Sequence, residues 1–233
     1  MSIGDNAFIL SLGGSLVVPK TGIDVSFLQS FNTFIRHQVS ANKRRFFIVV
    51  GGGDTAGKYI TAGRETVGHE LTNDDCDWLG IHATRLNAQL VRTIFRDIAD
   101  PRVIKHYEII LKIERPIAIA AGWKPGWSTD YDAVILSQDY GVKQVINMSN
   151  IDKVYDKDPR EHKDAQPIDQ ISWADYRKIA GDEWTPRMNL PFDPIAAKLA
   201  QEQGITVKIL NGKNLDNLAL ALDGKPFVGT TIG

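Results

Sequence analysis

Ala7-Phe-Ile-Leu-Ser-Leu-Gly-Gly-Ser15 is a short strand-forming run that stops on a glycine pair, and Phe46-Phe-Ile-Val-Val-Gly-Gly-Gly-Asp54 repeats the arrangement. A third run, Ile117-Ala-Ile-Ala-Ala121, enters Gly122-Trp-Lys-Pro-Gly-Trp-Ser-Thr129 in the same way. The runs are apolar at successive positions, so both faces of the sheet they form are expected under helices. Gln144–Asn147 and Thr206–Leu210 read as two more such strands.

Helical spacing fills the gaps. Phe27, Leu28, Phe31, Phe34 and Ile35 line one face, with Asp24 or Ser26 as cap. A long helix is expected from about Asp75 to Asp97, another over Asp130–Tyr140, and a shorter one over Ser172–Ile179. Asp193-Pro194 reads as a cap with proline in the first helical position, opening a helix that ends near Gly204. Strands and helices in alternation predict an α/β fold, a three-layer α/β/α sandwich with a mainly parallel sheet. Residues 1–233 are expected as one domain. Prolines gather from Pro159 to Pro194, where loops of a second lobe are expected, and Asp152–Lys157 reads as a small hairpin.

Composition narrows the function. The chain has 233 residues, 43% hydrophobic and 24% charged, as in a folded globular protein rather than a disordered one. A net charge of −1 gives no general field for nucleic acid or anionic lipid, so an anion must be held by local donors. The N-terminus lacks a basic leader, and Gly13-Gly14-Ser15 interrupts the first apolar run, so neither a signal peptide nor a membrane span is expected. The single cysteine, Cys76, fits a reducing cytoplasm and reads as a structural thiol. The five histidines are scattered without metal-ligand spacing.

Glycine turns at strand ends suit phosphate. They let backbone N–H groups approach the oxygens, and the following helix points its positive end at the charge. A single turn of this kind can be no more than a tight bend; three at strand ends point to a ligand edge. Two common fingerprints fail here. Gly52 to Lys58 matches the spacing of a P-loop, but Tyr59 replaces the magnesium-binding hydroxyl. Gly51-x-Gly53-x-x-Ala56 lacks the acidic residue a dinucleotide site needs about 20 residues on.

In order along the chain, Leu12-Gly-Gly-Ser15, Val49-Val-Gly-Gly-Gly53, Gly80-Ile-His-Ala-Thr-Arg-Leu-Asn-Ala88, Pro125-Gly-Trp-Ser-Thr-Asp130, Ser149-Asn-Ile-Asp152 with Val154-Tyr-Asp-Lys-Asp-Pro159, Asp193-Pro-Ile-Ala-Ala-Lys198 and Gly229-Thr-Thr231 resemble the amino acid kinase superfamily, and within it the UMP kinases of the archaeal type. That resemblance implies a cytoplasmic enzyme that moves the γ-phosphoryl group of ATP to UMP with Mg²⁺, as a homo-oligomer, commonly a hexamer. It implies an acceptor-binding part over about residues 1–130 and an ATP-binding part over about 131–233.

By the same resemblance Gly14, Ser15, Gly53, Ser149, Asn150, Tyr155 and Asp158 would hold ATP. UMP would lie on Gly52, Asp77, Gly122, Trp123, Lys124, Pro125, Gly126, Trp127 and Ser128, with Asp77 on the sugar. Trp123 and Trp127 suit either stacking on uracil or packing across a subunit contact. Asp130 suits either organising magnesium and the phosphate loop or capping the following helix, and Asp193 is open to the same two roles. Arg85 suits a phosphate clamp or an ion pair along its helix; Asn87, two residues on, must point another way. The chain departs from the family pattern at Ser11, where many members carry lysine, and at Gly57, where many carry arginine; Lys58 or Lys124 would have to supply the cation. A different small-molecule kinase of this fold and a non-catalytic nucleotide-binding protein are the two rival readings. The kinase reading requires Gly14, Gly52 and Gly126 to meet at one cleft.

Overall fold

The computed structural model describes residues 6–181 and 190–233. In chain order its elements are β1 (Ala7–Leu12), α1 (Gly14–Val17), α2 (Val25–Asn42), β2 (Arg45–Val50), α3 (Gly53–Thr66), α4 (Asn73–Ile94), β3 (Ala99–Ile104), β4 (Ile117–Ala120), α5 (Thr129–Tyr140), β5 (Gln144–Ser149), β6 (Val154–Tyr155), β7 (Pro167–Ile168), β8 (Gln170–Ile171), α6 (Trp173–Ala180), α7 (Pro194–Gln203), β9 (Thr206–Asn211), α8 (Leu215–Leu222) and β10 (Thr230–Ile232). The main sheet runs β3-β4-β2-β1-β5-β9-β10-β8. It is parallel from β3 to β9, and β10 lies antiparallel on β9.

Alternation along the strands divides the core in two. Leu10, Leu12, Ile48 and Val50 pack with Phe31 and Ile35 of α2, Val91 of α4 and Leu218 of α8. Ile9, Val49, Val145 and Ile209 pack on the other face with Val134 of α5, Tyr176 of α6 and Ala197 of α7. The three-layer α/β/α sandwich is therefore present, and every strand that the sequence predicts is found. Ser11 lies on the α5 side, in phase with Ile9.

Polar caps set the helix starts. Asp24 accepts from the Phe27 N–H, Ser128 from Tyr131 and Ser172 from Asp175. Thr72 and Asp75 form a reciprocal capping box, so α4 begins at Asn73 rather than Asp75 and ends at Ile94. One further expectation is corrected: Val154–Tyr155 pairs antiparallel with Pro167–Ile168, so the hairpin is wider than Asp152–Lys157. Within the proline-dense stretch, β7 belongs to that small separate sheet, β8 joins the main sheet through β10, and residues 182–189 lie outside the described residues. No described helix is long and apolar enough to cross a membrane.

Candidate active site

The carboxyl ends of β1, β2 and β4 carry the glycine turns, and the first two turns touch. A methyl group on Gly14 would lie 2.0 Å from the Gly53 nitrogen and 2.7 Å from the Gly52 nitrogen. Backbone thus packs on backbone with no room for a side chain. The Gly51 N–H donates to Leu12 O and the Gly13 N–H to Met148 O, which ties the β1 turn to the ends of β2 and β5.

On one side of this junction a cleft of about 290 Å³ is lined by Gly52, Gly53, Asp77, Gly122, Trp127, Ser128 and Thr129, among others. The Asp77 carboxylate reaches across to the third turn and accepts from the Gly126 N–H at 2.8 Å. Gly14, Gly52 and Gly126 therefore border one site. Burial raises the pKa of Asp77, against the lowering effect of the Gly126 N–H.

Helix α4 fixes the walls. Thr84 accepts from the Gly122 N–H at 2.8 Å. Arg85 donates to Gly122 O at 3.2 Å and to Trp123 O at 2.9 Å. Asn87 donates to Gly51 O and Gly52 O. Two residues along a helix turn about 200°, which is why Arg85 serves one loop and Asn87 the other. Arg85 forms no ion pair along its helix among the described residues; it holds the loop that forms the cleft wall.

Trp123 and Trp127 meet edge to face at 4.5 Å, between Tyr107 and Tyr131, and the Lys124 ammonium lies 4.2 Å and 4.6 Å from the two indole rings. The indoles pack mainly on each other and on that cation. Lys58 is paired with Asp54 one helical turn away and is largely exposed. Cys76 is buried beside the cleft, with Arg64 Nη2 at 3.6 Å.

Beneath the junction sits a group of carboxylates. Asp130 accepts from Ser11 Oγ and Asn147 Nδ2, both at 3.1 Å, and from the Asp193 N–H at 3.3 Å. Ser128, not Asp130, caps α5. Asp193 does cap α7, accepting from Ile195 and Ala196. Burial and the neighbouring Asp193 carboxylate push Asp130 up to about 7, and burial also raises Asp193. Asp132, fully buried behind the Trp123 loop, is pushed well up by desolvation.

Beyond the ends of β5 and β9 an open hollow of about 530 Å³ is lined by Asp152, Asn211, Lys213, Asn214, Leu215 and Asp216. Its register with the first turn is direct: Ser149 pairs with Asn211, the Gly212 N–H donates to Ser149 O, and Gly212 abuts Leu16 of α1. Asp158 is held in a fork by Arg160, which keeps its carboxyl down at about 2. Ser149 and Tyr155 are partly covered and Asn150 is exposed. Asn211 and Lys213 escaped sequence reading because no glycine motif marks them.

Comparison with known proteins gives concordant matches. Residues 109–211 match the profile described as the amino acid kinase family. The uridylate kinase of Methanospirillum hungatei is 32% identical over 227 residues, 96% of this chain and 93% of the relative. That of Thermoplasma volcanium is 32% identical over 231 residues, 98% of each. Among solved structures, uridylate kinase from Archaeoglobus fulgidus superposes with a TM-score of 0.80 at 29% identity, covering 98% of this chain and all of the other.

Proposed function

The chain belongs to the amino acid kinase family, among the archaeal-type uridylate kinases, and from that premise we propose how its residues divide the work of phosphorylating UMP. It is a nucleoside monophosphate kinase that transfers the γ-phosphoryl group of ATP to UMP, giving ADP and UDP. The observation that carries the assignment of sites is the contact of the first two glycine turns, beside the cleft that Gly52 and Gly53 line. Two nucleotides laid end to end would bring their phosphates together there.

In this proposal UMP occupies the smaller cleft. Gly52, Gly122 and Gly126 line its phosphate and sugar, Asp77 accepts from the sugar hydroxyls, and Trp123, Lys124, Pro125, Trp127 and Ser128 form the wall that Arg85 and Thr84 support. ATP lies over Gly14, Ser15 and Gly53, with Ser149, Asn150, Tyr155 and the Arg160-held Asp158 towards its nucleoside. Lys213 adds the cation that Ser11 and Gly57 do not supply. The acceptor part is then about residues 1–130 and the ATP part about 131–233.

Asp130 and Asp193 would suit a divalent cation of the Mg²⁺ type: no lysine or arginine among the described residues pairs with either, and burial, with the Asp193 charge beside Asp130, raises both carboxyls. When bound with ATP, such a cation supplies neutralisation of the phosphate charge. The chain's own task is alignment. A UMP phosphate oxygen attacks the γ-phosphorus in line, the bond to the β-phosphate oxygen breaks, and ADP leaves with that electron pair. Free N–H groups of the glycine turns hold the equatorial charge, and no phospho-enzyme forms.

A cytoplasmic homo-oligomer, a hexamer, belongs to the same reading; exposed Trp78, Leu86, Ile109 and Ile110 are surface it would cover. The deciding experiment is steady-state UDP formation from ATP and UMP with Mg²⁺, beside the Asp77→Asn variant. UDP from wild type, and a raised KM for UMP in the variant, support the reading. Phosphorylation of CMP, carbamate, acetylglutamate or isopentenyl phosphate in place of UMP would overturn it.

A further inference from the structure

The carboxamide nitrogen of Asn87 donates both its hydrogens to consecutive backbone carbonyls, Gly51 O at 2.9 Å and Gly52 O at 3.0 Å. The side chain is only 3% exposed. In a trans peptide the C=O and the following N–H share one plane and point in opposite directions. Turning the Gly51 and Gly52 carbonyls toward α4 therefore turns the Gly52 and Gly53 N–H groups away from it. Neither of these N–H groups donates to an acceptor among the described residues. Both nitrogens lie against Gly14, and Gly52 and Gly53 line the smaller cleft.

We propose that Asn87 is a positioning residue for phosphoryl transfer: it aims the Gly52 and Gly53 N–H groups at the phosphoryl group in flight without touching either nucleotide. The proposal rests on the kinase reading above. Its chemical logic is that of a preorganised donor pair. Two backbone donors fixed before the substrates arrive need no reorganisation when charge spreads onto the equatorial oxygens. An aspartate in the same place would present oxygen to both carbonyls and swing the peptides.

The test compares Asn87→Asp and Asn87→Ser with wild type, each assayed well below its own Tm. In Asn87→Asp, kcat falls about 100-fold while the KM values for ATP and UMP stay within about threefold. Asn87→Ser, with one short donor, falls between. Ser137→Ala, which removes a buried hydrogen bond to Val142 O at the far end of α5, is the stability control: it loses Tm and keeps kcat within about twofold. An unchanged kcat in Asn87→Asp, or an equal kcat loss in Ser137→Ala at matched Tm, overturns the proposal.

A second arm does not depend on UDP formation. Inorganic tripolyphosphate is titrated while the Gly52 and Gly53 amide resonances are followed by NMR. Both shift in wild type; in Asn87→Ser the two shifts are lost while the affinity stays within about threefold. Equal Gly52 and Gly53 shifts in the two proteins overturn the role of Asn87, whereas absence of UDP from wild type alone overturns the kinase reading.

Discussion

The Ser11 hydroxyl donates to the Asp130 carboxylate across 119 residues of chain, at 3.1 Å, where the end of β1 meets the first turn of α5. A neutral donor is thus all that β1 offers a carboxyl that Asp193 already crowds. With no basic partner from β1, this carboxyl decides how the site responds to pH.

Asp130 titrates near 7 in the folded chain, above its ordinary carboxylate value. Between those two values the folded state binds more protons than the unfolded state, so stability falls as pH rises through the window. Asp193 and Asp132 are displaced in the same direction and add to the slope. Exposed Asp97 and Asp158 are displaced downward, to about 2, and their contribution is lost only at lower pH. Urea unfolding without nucleotide or metal should show lower stability at about pH 7.5 than at about pH 5. Asp130→Asn should flatten that difference. An equal slope in variant and wild type would show that Asp130 is ionised in the fold throughout.

Gly14→Ala and Gly126→Ala separate two uses of glycine. At Gly14 the added methyl meets three backbone atoms of the second turn within 2.7 Å, so the two turns must part. Loss of about 1–3 kcal/mol in stability and at least about 100-fold in kcat is expected. Gly126 has open space around it but a φ of +81°, so alanine there costs only the backbone strain, about 1–2 kcal/mol. That strain loosens the N–H held by Asp77 and should raise the KM for UMP with little change in kcat. Equal kinetic profiles for the two variants would contradict the contact geometry.

Legibility followed the range over which each feature is determined. β1 and β2 were readable because burial on both faces leaves an unbroken apolar run. β3 was not, because Pro101 and Arg102 face solvent at the sheet edge, where a missing ladder hydrogen bond is tolerated. α8 is eight residues long and nearly all apolar, so its period carries little signal. The glycine turns announce themselves locally, and so they mark the site. The residues that aim them do not. Thr84, Arg85 and Asn87 act on loops 35 to 38 residues away, and only the phase of α4 against two separate turns reveals which loop each one holds.

Arg85 provides the sharpest test of that arrangement. Its guanidinium spans Gly122 O and Trp123 O with two differently directed N–H groups, a geometry that a lysine ammonium on a flexible stem does not reproduce. Arg85→Lys keeps the charge, so any loss reports the fork rather than the field. The loop it holds lines the acceptor cleft and not the hollow assigned to ATP. The KM for UMP should therefore rise about tenfold, the loss of roughly one charge-assisted hydrogen bond, while the KM for ATP stays within about twofold. A parallel rise in both constants would mean that the loop serves the two nucleotides jointly, and that the division of the site at the Gly14–Gly53 contact is misplaced.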